Sequence, residues 1–341
     1  MNLLRGFSSL RSLFQVVRSL DLGPIDADLE RPCTIAVVGE DVYRQVILRL
    51  LHPAPSLRDR RLAVVGWDPA TGGTDAAVVV QVASASDDPP PHLFVNVSVV
   101  RVGLGVATGA PSWHPDVALP EATPAAAESR LAPAILHAVP DCAPSLARRI
   151  PVLRREAAHR VVVETCAGNA EMVFMSNFLS AVPVIGNLIE AGGDTISLTT
   201  NQIIMLHKLG GIYGRDFHDR RRLFMEILPV VGAALGFRTV AQVAVDLVPT
   251  PFAVAPKVGV AYAGTYSVGR IAIEYYREGY KPTLNDARAR FAEGLTDFRR
   301  WFDEHRPRLT RERSQLEPPK EPEPSSPDAH PKPPSDPARS A

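Results

Sequence analysis

The run Gly39-Glu40-Asp41-Val42-Tyr43-Arg44-Gln45-Val46 stands where a short apolar segment, residues 33–38, gives way to helical spacing over 42–51. Strand, glycine and helix in that order make the frame of a phosphate-cradling loop, G-x-x-x-x-G-K-[ST]. In that loop backbone N–H groups wrap the phosphates, the lysine neutralises charge and the hydroxyl holds Mg²⁺. Here only the first glycine, Gly39, stands. Arg44 occupies the place of the second glycine, Gln45 that of the lysine and Val46 that of the hydroxyl. Val46 offers no oxygen to a metal, Gln45 no charge, and Glu40 and Asp41 would repel a phosphate. No cofactor or metal is expected at this loop.

Two further positions repeat the pattern of loss. After Asp68 the next glycine is Gly72, one residue too far for D-x-x-G. Asn96 stands where N-K-x-D would read a guanine, but Val97 and Val99 replace the lysine and the aspartate. Three remnants in chain order, on successive strand candidates, point to a degenerate P-loop-GTPase-like α/β domain, with Asp68 and Asn96 as its survivors. The strands that would carry them are 33–38, 62–68, 76–83 and 93–102, short apolar runs of the kind buried in parallel sheets. Residues 125–139 read as a helix ended by Pro140.

The rest of the chain is organised differently. Residues 1–30 carry arginines at 5, 11 and 18 among apolar residues at i, i+3, i+4 and i+7. That is an amphipathic helix rather than the unbroken apolar core of a secretory signal. It either lies on a membrane surface or docks on the next domain. The α/β unit spans 31–150 and a mainly helical domain with long apolar helices spans 151–282. An amphipathic helix covers 283–312, and a proline-rich tail, 313–341, is expected to be disordered. Within the helical half, residues 172–189, 223–248 and 252–273 are apolar but interrupted by Glu226, Arg238, Asp246, Lys257 and Arg270. They form either a packed core or a membrane-associated bundle, with hairpin insertions near 171–190 and 227–270. Small residues at helical spacing, Gly232 with Gly236 and Gly259 with Ala263, allow close helix approach.

The segment from Thr199 to Asp216, TTNQIIMLHKLGGIYGRD, resembles the signature of a bacterial family known as domain of unknown function 697. Residues 181–186, 248–249 and 261–270 extend the resemblance over about 155–280. It implies a helical domain that follows an Era-like GTPase domain and associates with membranes. The missing P-loop residues mean that GTP hydrolysis does not transfer with it.

Asn201, Gln202, Lys208, Tyr213, Arg215, Asp216 and Arg270 form a candidate polar network in this apolar half. They either hydrogen-bond helices together or line a docking surface. The run 215–222 reads as a basic loop, solvated or juxtamembrane.

The remaining chemistry is thin. Lys+Arg and Asp+Glu balance at 37 each, so nothing pulls the whole chain toward nucleic acid. No H-E-x-x-H or G-x-S-x-G occurs. Cys33, Cys142 and Cys166 share no short spacing, so buried free thiols in a reducing cytoplasm are expected. The function expected is non-catalytic: a scaffold at the cytoplasmic face of the cell membrane, or in the cytoplasm, that self-associates or partners an active GTPase. A membrane-inserted remodelling or transport element and a residual nucleotide-binding regulator are the alternatives.

Overall fold

The computed structural model describes residues 18–52, 64–67, 75–84, 96–105, 113–179, 193–215, 254–279 and 283–316. A first helix, α1 (Gly23–Glu30), leads into β1 (Ile35–Val38), α2 (Asp41–Leu51), β2 (Val64–Gly66), β3 (Val78–Ser84), β4 (Ser98–Leu104) and β5 (Val117–Leu119). The strands make one five-stranded parallel sheet in the order β2-β1-β3-β4-β5. Ile35 pairs with Val78 and Val64, and Val78 with Ser98, so all strands point the same way from one edge. Valine dominates because a central parallel strand is covered on both faces, and β-branched side chains fill a pleated surface well. Every residue of β1 is buried.

Helix α3 starts at Pro124 behind Thr123, whose hydroxyl accepts the Ala126 N–H at 3.2 Å. It widens into a π turn over Ala127–Leu131 and runs on as Ala132–Ala138. Pro133 explains the widening, since its ring has no N–H to give back to the preceding turn. Helices α2 and α3 supply Ile47, Leu51, Leu131 and Ile135 to the same buried cluster as Ile35, Val37, Val80 and Val102. Ala36, Val38 and Val79 form a separate, smaller cluster.

After α4 (Ala143–Arg149) and a 3₁₀ turn (Pro151–Leu153), the chain becomes a bundle of α5 (Arg154–Leu179), α6 (Gly193–Ile212), α7 (Val254–Glu278) and α8 (Leu284–Leu316). All five strands lie before that turn and the long helices after it. The buried side chains on either side of it belong to one cluster that reaches from Leu22 to Trp301.

The helical half corrects one expectation: among the described residues no helix is long and apolar enough to cross a membrane. The apolar stretch 252–273 lies largely in α7, whose Val258, Tyr262, Ala263, Val268, Ile271 and Ala272 are buried. A helix wrapped by α5, α6 and α8 must be apolar on several sides, and that suffices to explain its composition. The stretch 172–189 is described only as far as Leu179, and 223–248 lies outside the described residues, with Gly232 and Gly236. Close approach holds where it can be seen. Gly259 lies under the Phe298 ring, and Gly294 faces Ala263 across the α7–α8 crossing.

At the N-terminus, α1 is docked on α6. Asp26 Oδ1 is 2.7 Å from Nε2 of buried His207, and Leu29 lies on Gly211. Residues 1–17 fall outside the description. Helix α8 begins as expected but runs to Leu316, four residues into the segment assigned to the tail.

The cysteines also depart from expectation. Cys33 and Cys142 are joined in a disulfide with Cα atoms 6.0 Å apart, and only Cys166 is free and buried. The Cys33 carbonyl accepts Arg149 Nη2 at 2.9 Å. The same nitrogen donates to Arg31 O at 3.0 Å and to Ser145 Oγ at 2.6 Å, while the Ser145 hydroxyl also donates to Arg31 O. Folding brings together two residues whose sequence separation is 109.

Candidate functional site

In an open parallel sheet a ligand binds beyond the carboxyl ends of the strands where the order reverses, here between β1 and β3. Gly39 occupies that place. Its φ is +146°, and a Cβ there would come within 2.2 Å of the Val82 carbonyl oxygen at the end of β3. Glycine is therefore required by a close backbone approach.

The turn is also too short. β1 ends at Val38 and α2 begins at Asp41, so Gly39 and Glu40 are the whole connection. Residues 41–46, which would wrap a phosphate, are already helical. Within that helix Gln45 is exposed to solvent, and Val46 packs toward the core. Arg44 is bound to Asp41 at 2.5 Å and its side chain lies along Gly66. Glu40 and Asp41 place carboxylates at the start of α2, where first-turn N–H groups would meet an anion. The residues present do not fit a nucleoside triphosphate or its Mg²⁺, and among the described residues no His/Cys/Asp/Glu group could hold a metal.

The two remnants do not complete the site. Asn96, with φ +76°, precedes β4 and therefore sits at the amino edge of a parallel sheet, the edge opposite Gly39. A base reader would have to stand at the carboxyl edge. The strand expected over 93–102 includes Asn96, whereas β4 starts at Ser98. Trp67 does reach the carboxyl edge, its N–H bonded to Val37 O, but Asp68 lies outside the described residues.

The polar network in the bundle is real in part. The fully buried amide of Asn169 on α5 donates through Nδ2 to Thr265 Oγ1 on α7 at 2.9 Å. Its Oδ1 accepts Asn201 Nδ2 from α6 at 2.8 Å, and Gln202 Nε2 reaches Thr265 Oγ1 at 3.3 Å. Three helices are tied by four side chains, so Asn201 and Gln202 belong to a packing network. Asn169 and Thr265 were not foreseen, because a single amide or hydroxyl on a long helix has no periodic signal. A second tie, Tyr262 OH to Asp297 Oδ2 at 2.7 Å, joins α7 to α8 beneath the rings of Phe298 and Trp301. Burial first, then the Asp297 contact, pushes the Tyr262 phenol far above its ordinary value, and burial likewise raises the Cys166 thiol.

Tyr213 and Arg215 stand at the end of α6. Gly214, with φ +77°, closes the helix: its N–H bonds Gly211 O, and the Arg215 N–H bonds Gly210 O, a Schellman arrangement. Arg148 Nη1 donates to the Gly211 and Arg215 carbonyls, a cation at the negative end of the helix dipole. Tyr213 stacks on Tyr276 at 6.4 Å; burial raises its phenol, and Arg277, Arg154 and Arg270 pull it back. The half-buried Arg270 has its Nε in no hydrogen bond among the described residues. Lys208 is half-buried apart from the amide network, and Asp216 lies outside the described residues. Asn201 and Gln202 thus belong to an inter-helix lock and Tyr213 and Arg215 to a helix terminus, so the described candidates do not form one network.

Comparison with protein-family models, with curated proteins and with solved structures finds no match.

Proposed function

We propose that this chain is a non-catalytic, pseudo-GTPase-like protein. Its α/β half is a structural platform, and its helical half serves as a scaffold at the cytoplasmic face of a membrane or as the partner of an active GTPase. One observation carries the first part: α2 starts two residues after Gly39, so helix stands where a phosphate loop would be. The strand order and the placing of α2 and α3 against one cluster support descent of the platform from a nucleotide-binding sheet. The likeness of residues 199–216 to the family-697 signature supports the membrane and GTPase connection, as does the basic run 215–222.

The test is a titration of the full chain with fluorescent GTP and Mg²⁺, beside carbonate washing of membranes from cells that express it. No saturable nucleotide binding through the micromolar range is expected, and micromolar affinity would sink the proposal. Membrane retention lost on deleting 155–280 supports the scaffold at a membrane. A protein recovered only in the soluble fraction leaves the GTPase-partner form, checked by co-purification with a GTPase.

A further inference from the structure

We propose that Cys33 and Cys142 form a reversible redox staple that fixes the α/β half to α4. Cys33 stands two residues before β1, and Cys142 ends the 3₁₀ turn Pro140–Cys142 immediately before α4. The chain between them holds all five strands, α2 and α3. One bond therefore closes the entire sheet into a loop, and loops of that size lose the most chain entropy when cross-linked. The Cα separation of 6.0 Å lies within the range a bridge spans without backbone movement.

Reversibility follows from two further features. Cys33 is buried at 3 % exposure, whereas Cys142 is half-buried, so one sulfur is the point of access. The Arg149–Ser145 clamp on the Arg31 and Cys33 carbonyls uses no sulfur and persists when the bridge is open. It keeps the thiols near each other, so closure stays intramolecular. A structural disulfide does not last in a reducing compartment, so the staple there closes on oxidation and reopens afterwards.

The exchange balances with a disulfide oxidant such as oxidised glutathione. Cys142, as thiolate, attacks one glutathione sulfur, forming a mixed disulfide and releasing the first glutathione thiol. Cys33, as thiolate, then attacks the Cys142 sulfur, forming the bridge and releasing the second. Two electrons pass to the oxidant, and the two protons from the cysteines end on the glutathione thiols. A dithiol reductant reverses both steps.

The test counts thiols in the full chain. After exposure to oxidised glutathione, alkylation in denaturant should mark Cys166 alone; after dithiothreitol it should mark all three cysteines. Reduction should lower Tm by about 5–10 °C and speed amide exchange across residues 31–35. Cys142→Ser should match the reduced protein and ignore dithiothreitol. If that variant does not fold, the thiol count and Tm of the natural chain decide. Three labels after the oxidant, a lasting glutathione adduct on Cys142, or a bridge involving Cys166 would overturn the pairing. A bridge whose reduction moves neither Tm nor exchange would overturn its role as a staple.

Discussion

The sheet half and the helical half share one core but specify their packing by different means. In the sheet, register and burial do almost all the work: Val79, Val80 and Val102 are inaccessible and apolar, and their partners follow from strand pairing. In the bundle, α5 and α6 have little amphipathicity, so apolar contact alone would let them slide or rotate against their neighbours. Position is fixed instead by the Asn169–Thr265–Asn201–Gln202 lock, the Tyr262–Asp297 bond and glycines that admit close neighbours. Apolar surface alone is non-directional. A hydrogen bond between buried groups is directional, and breaking one partner costs more than the bond is worth. Geometry in the first half is therefore set by the backbone, and in the second by side chains.

The sharpest way to break that contrast is a backbone test in the sheet. Gly39→Ala adds a Cβ against the Val82 carbonyl at a φ unfavourable to L-residues. The strain and the overpacking together should cost about 3–5 kcal/mol in urea unfolding. A cost below about 1 kcal/mol, near the typical effect of a point mutation, would mean that the β1–α2 turn relaxes freely and that glycine is not required there. Next in size is the amide lock. Asn169→Ala strands groups on Asn201 and Thr265 and should destabilise by about 2–3 kcal/mol. The pair Asn169→Leu with Thr265→Val should recover part of that loss, because both ends become apolar. No recovery would show that the network does more than satisfy itself.

These two sites also show what the residues disclosed before any coordinates. The strand around 35–38, the helix after it and the failed phosphate positions Arg44, Gln45 and Val46 were legible, since each rests on local pattern. Apolar residues before Ser98 extend the apparent strand over Asn96, which instead precedes β4 at φ +76°. β5 went unseen: three residues after Asp116 give too little periodicity. The partners of Asn201 and the Cys33–Cys142 bridge depend on helices and turns meeting across long separations, which spacing does not encode.

A smaller effect separates the aromatic tie from the amide lock. Tyr262→Phe removes the hydroxyl that donates to Asp297 and should cost about 1–2 kcal/mol near neutral pH. Its signature is the alkaline limb. Native Tyr262 holds its proton, raised by burial and by Asp297, while the unfolded phenol releases its proton near pH 10. The raised value means that this stability is full below about pH 10 and is lost as pH climbs beyond it. Cys166, Tyr213 and Tyr266 shift in the same direction, so the natural chain should begin to weaken above about pH 8.5, where an unfolded thiol ionises. In Tyr262→Phe the loss above pH 10 should be shallower; an identical slope would place the phenol's proton elsewhere.

The smallest effects come from two glycines that look alike in sequence. At Gly294 a Cβ would meet the Ala263 Cα at 2.9 Å, backbone that moves only if α7 and α8 separate. Overpacking of about 1–3 kcal/mol, set against roughly 1 kcal/mol of helix propensity regained, leaves Gly294→Ala about 1 kcal/mol destabilised. At Gly211 the clash, at 2.2 Å, is with a terminal methyl of Leu29, which can turn aside. Gly211→Ala should therefore sit within about 0.5 kcal/mol of the natural chain, the propensity gain offsetting the rotamer change. Equal costs at the two sites would mean that α1 presses on α6 as rigidly as α8 presses on α7. The docked N-terminal helix would then belong to the bundle's framework and not to its periphery.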